Sequence, residues 1–205
     1  NEALMEQIAD VGNGNYSYID SLKEGRKVLH DQLQATLHTV AKDVKVQVEF
    51  QPAQIREYRL LGYENRMLAR QDFKNDAVDA GEIGAGASVT ALYELTPFGS
   101  PSSVEPLRYQ PQPATEKPSS PPAAHAGELA FVRVRYQPPE GGASRELAQA
   151  VPAPPSATPF ARASDDFRFA AAVAGFGQIL RGGRHTQTFG LPQVVAIADA
   201  ARGQD

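Results

Sequence analysis

The chain has 205 residues, with 20 Lys and Arg against 24 Asp and Glu for a formal net charge of −4, and it contains no cysteine. That length can bury a real core, as one large domain or two small ones. The acidic balance argues against a nucleic-acid partner, the missing Cys removes disulfides and thiolate ligands, and no apolar run approaches the ~18 residues of a membrane span.

The chain opens without an initiator Met, directly on an amphipathic helix. Leu4, Ile8 and Val11 share one face at i, i+4, i+7 spacing, with Met5 beside them. Such a start reads as a cut from a longer protein, with any targeting segment lost. Gly12-Asn13-Gly14 ends that helix, and Tyr16–Ile19 reads as a short strand. Ser21 and Glu24 form a capping box that opens a long helix over 21–42. Its buried stripe would be Leu22, Leu29, Leu33, Leu37 and Val40. This α-β-α block looks like the rim of a doubly wound sheet, and one strand between two helices leaves its sheet edges open.

From residue 43 the period changes. Val44, Val46, Val48 and Phe50 alternate with Lys45, Gln47 and Glu49, the pattern of a half-buried antiparallel strand. Residues 55–63 predict a second strand and 88–95 a third, the latter preceded by a turn or bulge at Gly81, Gly84 and Gly86. Residues 98–127, rich in Pro, Ser, Ala and Gln, predict a loop. Strands are expected over 128–136 and 143–151, then a Pro-rich connector over 152–159. Ser164 caps a helix whose first turn carries Asp165 and Asp166 and whose apolar stripe is Phe169, Val173, Phe176 and Leu180, with Phe167 and Ala172. Arg181–Arg184 ends it, and Pro192 sits in the first turn of a final helix carrying Val195, Ile197 and Ala198.

Reactive constellations are sparse. His30 and His38 are eight residues apart, His125 lies in the Pro-rich loop, and His185 follows a Gly-Gly turn; no His pair has metal-ligand spacing. Asp72, Asn75, Asp76, Asp79 and Glu82 form an acidic loop. A calcium loop started at Asp72 would place Ala77 and Ile83 where Gly and Glu belong, so a solvated acidic turn is the expectation. Gly81–Gly86 lacks the Lys-Ser/Thr of a phosphate loop and leads into a strand. Ser164-Asp165-Asp166 reads as a helix cap, with no nucleophile elbow elsewhere. No catalytic, cofactor-binding or metal-binding residue is therefore assigned.

Seven stretches carry a family resemblance. Residues 8–19 and 22–29 look like the last strand and last helix of a von Willebrand factor type A (VWA) domain. Residues 41–50, 57–66, 68–73 and 79–86 resemble the domain that follows VWA in bacterial proteins of the YfbK type, and 164–170 looks like the start of its C-terminal helices. The resemblance implies an α+β chain. Residues 1–42 would end a Rossmann-like VWA domain, 43–160 would form an antiparallel, sandwich-like β domain, and 161–205 a helical segment. It also implies an exported, envelope- or membrane-associated protein, often a lipoprotein, that binds protein partners. The Asp-x-Ser-x-Ser of a VWA metal site does not occur here, so Mg²⁺ would belong to a portion outside this chain. The function expected is a non-enzymatic interaction module. The alternative is an assembly subunit of an envelope complex, with residues 98–127 and 152–159 draped over a neighbour.

Overall fold

The computed structural model describes residues 2–12, 14, 16–31, 33, 37–62, 67–101, 125–183, 185–186 and 188–203. It is an α+β structure with antiparallel sheets. Two compact units interleave along the chain. The first comprises Asn1–Val48, Leu68–Val89 and Val132–Gln149, the second Glu49–Met67, Thr90–Phe131 and Ala150–Asp205.

In the first unit, α1 (Glu2–Val11) and α2 (Leu22–Arg26) precede the sheet, and α2 continues as a wider π-helical turn over Lys27–Asp31. Ser21 Oγ accepts a bond from the Glu24 amide at 3.2 Å, as its position predicts. Two expectations fail here. Residues 16–20 form no strand, and the described helical residues give way to β1 (Thr39–Phe50), which begins four residues before the expected boundary at 43. Thr39 and Val40 are β-branched and suit a pleated strand, and β3 (Gly81–Gly84) gives them a partner. The α-β-α rim is thus not seen among the described residues.

The four-stranded sheet runs β3-β1-β5-β6, with β5 at Glu128–Gln137 and β6 at Arg145–Pro152. β1 and β3 pair antiparallel, Thr39 with Gly84, Ala41 with Ile83 and Val44 with Gly81. Between those pairs β1 carries two more residues than β3, a bulged stretch that holds Asp43 at φ +50°. Asp43 Oδ1 accepts a bond from the Ala80 amide at 3.3 Å. The glycine-rich stretch expected as a turn is therefore half strand, and its turn comes only at Ala85–Gly86.

In the second unit, β2 (Ile55–Leu61) and β4 (Leu92–Pro97) form an antiparallel ribbon with Arg59 opposite Glu94 and Leu60 opposite Tyr93. β4 lies later than the expected strand: 88–91 are not paired. Phe50 packs on Tyr58 and Tyr93 at centroid distances of 4.9 and 5.2 Å. Two helices follow, α3 (Asp165–Leu180) and α4 (Leu191–Ala201), which pack on each other. Ser164 Oγ accepts from the Phe167 amide at 3.3 Å, and Asp165 and Asp166 occupy the first turn of α3. At α4 the Gln193 side chain accepts from the Gly190 amide at 3.1 Å, with Pro192 in the first turn. The middle of the expected Pro-rich loop, 102–124, lies outside the described residues.

Candidate functional site

The second unit holds a cleft of about 350 Å³, within the usual range for ligand pockets. One wall is the ribbon, with Arg59, Leu61, Ala91, Leu92 and Tyr93. The other is α3, with Phe167, Ala171, Ala174, Gly175 and Gln178, and the turn bearing His185, Thr186 and Phe189 closes one side. Gly175 is where the walls come closest. A Cβ placed there would lie 2.5 Å from the Phe189 ring, so only glycine lets that ring seat on the helix backbone. The turn itself depends on Gly182 and Gly183 at φ +100° and +64°, and Thr186 Oγ1 donates to the Gly183 carbonyl at 2.9 Å.

Arg59 bridges the two walls. Its Nε donates to Glu94 Oε2 at 3.0 Å and its Nη1 to Gln178 Oε1 at 2.8 Å. The guanidinium is thereby neutralised by the carboxylate directly across the ribbon. Burial pushes the Tyr93 phenol above its ordinary value, and neighbouring Tyr58 adds to the rise. The cleft thus presents aromatic and aliphatic walls and a neutral polar bridge, an arrangement suited to contact with an apolar group.

A polar cluster occupies the first unit. Asp76 accepts from Arg135 Nε at 3.1 Å and from Arg135 Nη2 at 2.9 Å on each carboxylate oxygen, and Ser144 Oγ donates to it at 2.8 Å. The Ser144 bond first, and then Arg135, hold its carboxyl below the ordinary aspartate value. Lys45, only 3% exposed, donates to the Asn75 carbonyl, and Asn75 Oδ1 accepts from the Ala77 amide at 3.0 Å. Arg133 lies over the Phe73 ring at 5.3 Å and donates to Gln47. The acidic loop read in the sequence is therefore tied to β1 and β5 by cations. Among the described residues no group of three or more His, Asp or Glu could hold a metal ion.

The histidines fall in separate places. His30 is in the π-helical turn, the His38 carbonyl accepts from the Ala85 amide at 2.7 Å, His125 Nδ1 meets Glu128 Oε1 at 3.1 Å, and His185 lines the cleft. Sequence reading missed Arg59, Gln178, Lys45, Arg133, Arg135 and Ser144. The one available signal was Arg133 and Arg135 alternating with apolar residues in β5, which places two cations on one face of a strand.

Residues 35–205 match the family described as uncharacterized protein YfbK, C-terminal. The chain belongs to that family. It is similar to uncharacterized protein YfbK of Escherichia coli (strain K12), at 46% identity over all 205 residues of this chain and 34% of that protein. The chain spans about a third of the length of this curated relative. No solved structure matches. The cleft and the polar cluster both fall inside the matched family region, whereas α1 and α2 precede it. No helix of the described residues is long and apolar enough to cross a membrane.

Proposed function

We propose that this chain is the C-terminal portion of an extracytoplasmic VWA protein, in which it acts as a non-enzymatic protein-binding module. The observation that carries the reading is a set of exposed apolar side chains on α1 and α2, ahead of the family region. Leu4, Ile8 and Val11 are 51, 57 and 83% exposed and Leu22 is 96% exposed. Rows of this size on a folded chain mark a surface that another element covers. The resemblance of 8–29 to the end of a VWA domain names that element: the body of the preceding domain. Any Mg²⁺ belongs to that domain, because this chain lacks the Asp-x-Ser-x-Ser motif and Asp76 is already engaged by Arg135 and Ser144.

The non-enzymatic part rests on the state of the polar groups. Arg59, Asp76, Arg133 and His125 are committed to partners within the fold, and Ser164 to a helix cap. In the cleft the Thr186 hydroxyl, beside His185, is committed to the Gly183 carbonyl. The bulge at Asp43 lies just after β1 begins, where a shift in the preceding helix would feed into the sheet.

Hydrogen exchange of the intact protein and of the 205-residue chain tests the reading. Amides of α1 and α2 are expected to be protected only in the intact protein. Equal exchange in both would overturn the covering role. Robust turnover in a hydrolase screen would overturn the non-enzymatic assignment, loss of every partner would overturn the binding role, and partner retention that survives chelation of Mg²⁺ would remove the metal from that role. Replacing Asp43-Val44 by Gly-Ser in the intact protein is expected to uncouple partner binding from the C-terminal portion.

A further inference from the structure

Four of the six apolar residues that the sequence assigns to the inside of α3 form a row on its outside, whereas Ala172 is buried and Phe167 lines the cleft. Phe169, Val173, Phe176 and Leu180 are 40, 56, 44 and 69% exposed. At ~100° per residue this row lies roughly 170° around the helix from the residues that line the cleft, so one face of α3 serves the unit and the opposite face is left open. The row covers three turns, ~16 Å of helix. α4 does not cover it, and its own Leu191 and Val195 are 49 and 57% exposed.

We propose that this face of α3 is a homodimer interface, in which two copies pack antiparallel about a two-fold axis near residues 174–175. Two features of the helix select a second copy and that direction. The row is self-complementary when reversed: Phe169 comes opposite Leu180 of the second copy, and Val173 opposite its Phe176. Each level then pairs an aromatic ring with an aliphatic side chain, and two-fold symmetry repeats the match. The ends are complementary as well. Exposed Asp166 lies in the first turn and Arg181 closes the last, so reversal brings the acidic end of each helix toward the basic end of the other and opposes their dipoles. A parallel arrangement would put Asp166 beside Asp166 and stack an aromatic on its own copy at two levels.

These 205 residues contain no cysteine, so an introduced thiol is the one thiol in this portion of the protein. In the intact protein, Val173→Cys places two thiols only ~4.5 Å apart along the axis, whereas Leu180→Cys places them ~16 Å apart. A short bifunctional maleimide is expected to link the first variant into a dimer and to leave the second unlinked. The parent protein, treated alike, supplies the background. Sedimentation velocity over a concentration series is expected to show a reversible dimer that Phe176→Glu abolishes, with the far-ultraviolet circular dichroism unchanged. A protein that stays monomeric throughout the series overturns the proposal. So does a dimer that a folded Phe176→Glu variant retains, or cross-linking at position 180 in preference to 173. If Phe176→Glu fails to fold, the two cysteine variants decide the matter alone.

Discussion

The two units are held together by different means. In the unit built on most of the four-stranded sheet, the buried residues among those described are Phe73, Pro138 and Lys45, and charged side chains do much of the linking. Arg135 clamps Asp76, Arg133 spans Phe73, Gln47 and Glu146, and Lys45 reaches the Asn75 carbonyl. In the unit with the ribbon and C-terminal helices, the buried residues are Ala53, Ile55, Ala130, Ala172, Val194 and Ala201. Five of those six are Ala or Val, so the second unit gains stability from close backbone approach. The first depends on placing a few cations well. A buried cation is tolerated only where it is hydrogen-bonded, which makes the first unit specific but sensitive to loss of a partner. Close approach is insensitive to charge but intolerant of added volume.

Three substitutions sharpen or break that contrast. The largest effect is expected from Phe73→Ala, which empties the buried aromatic position and removes the surface beneath Arg133. A loss of about 3 kcal/mol is expected by denaturant titration. Native-state exchange should loosen amides of β1, β3 and the Asn75–Val78 turn before those of α3. Next is Gly175→Val, whose added methyls meet the Phe189 ring. It is expected to cost about 2 kcal/mol and to deprotect α3 and α4 first. Should either substitution loosen both sets of amides equally, the division into two differently built units does not describe the energetics.

The smallest effect is Asp76→Asn, read as a function of pH. The folded carboxyl is held below its ordinary value by Ser144 and then by Arg135, so these contacts contribute fully above the unfolded-state value near 3.8 and are lost as pH falls through the lower folded value. Wild type is therefore expected to exceed the variant in melting temperature by a constant margin from neutrality down to about pH 5, narrowing below about pH 4. Added salt should shrink the margin, because Asp76 is exposed. A margin that persists at low pH would show that the stabilisation does not come from the ionised carboxylate, whether through Ser144 or through Arg135.

Local signals were legible where they needed no distant partner. The alternation of residues 44–50 and 128–136 is strand in the structure, and Ser21, Ser164 and Pro192 mark helix starts where their chemistry placed them. β3 was not legible. Gly-Glu-Ile-Gly has no β pattern of its own and is a strand because β1 runs beside it. The start of β1 was hidden for the same reason, since Leu33, Leu37 and Val40 continue a helical spacing until the sheet claims Thr39 onward. Arg59 with Gln178 and Arg135 with Asp76 join residues 119 and 59 positions apart, a separation that composition and period do not register.

The sequence by itself determined an acidic, cysteine-free chain with strong caps and period-2 strands, because each of those properties is set within a few residues, and the family resemblance added the expectation of an α+β fold. Which face of α3 turns inward was decided by the tertiary structure alone. The helical period marks Phe169, Val173, Phe176 and Leu180 as the core face, yet Ala171, Ala174 and Gly175 are on the side that faces the cleft and Phe189. At Gly175 the smallest residue wins because the Phe189 ring lies 2.5 Å from where a Cβ would stand.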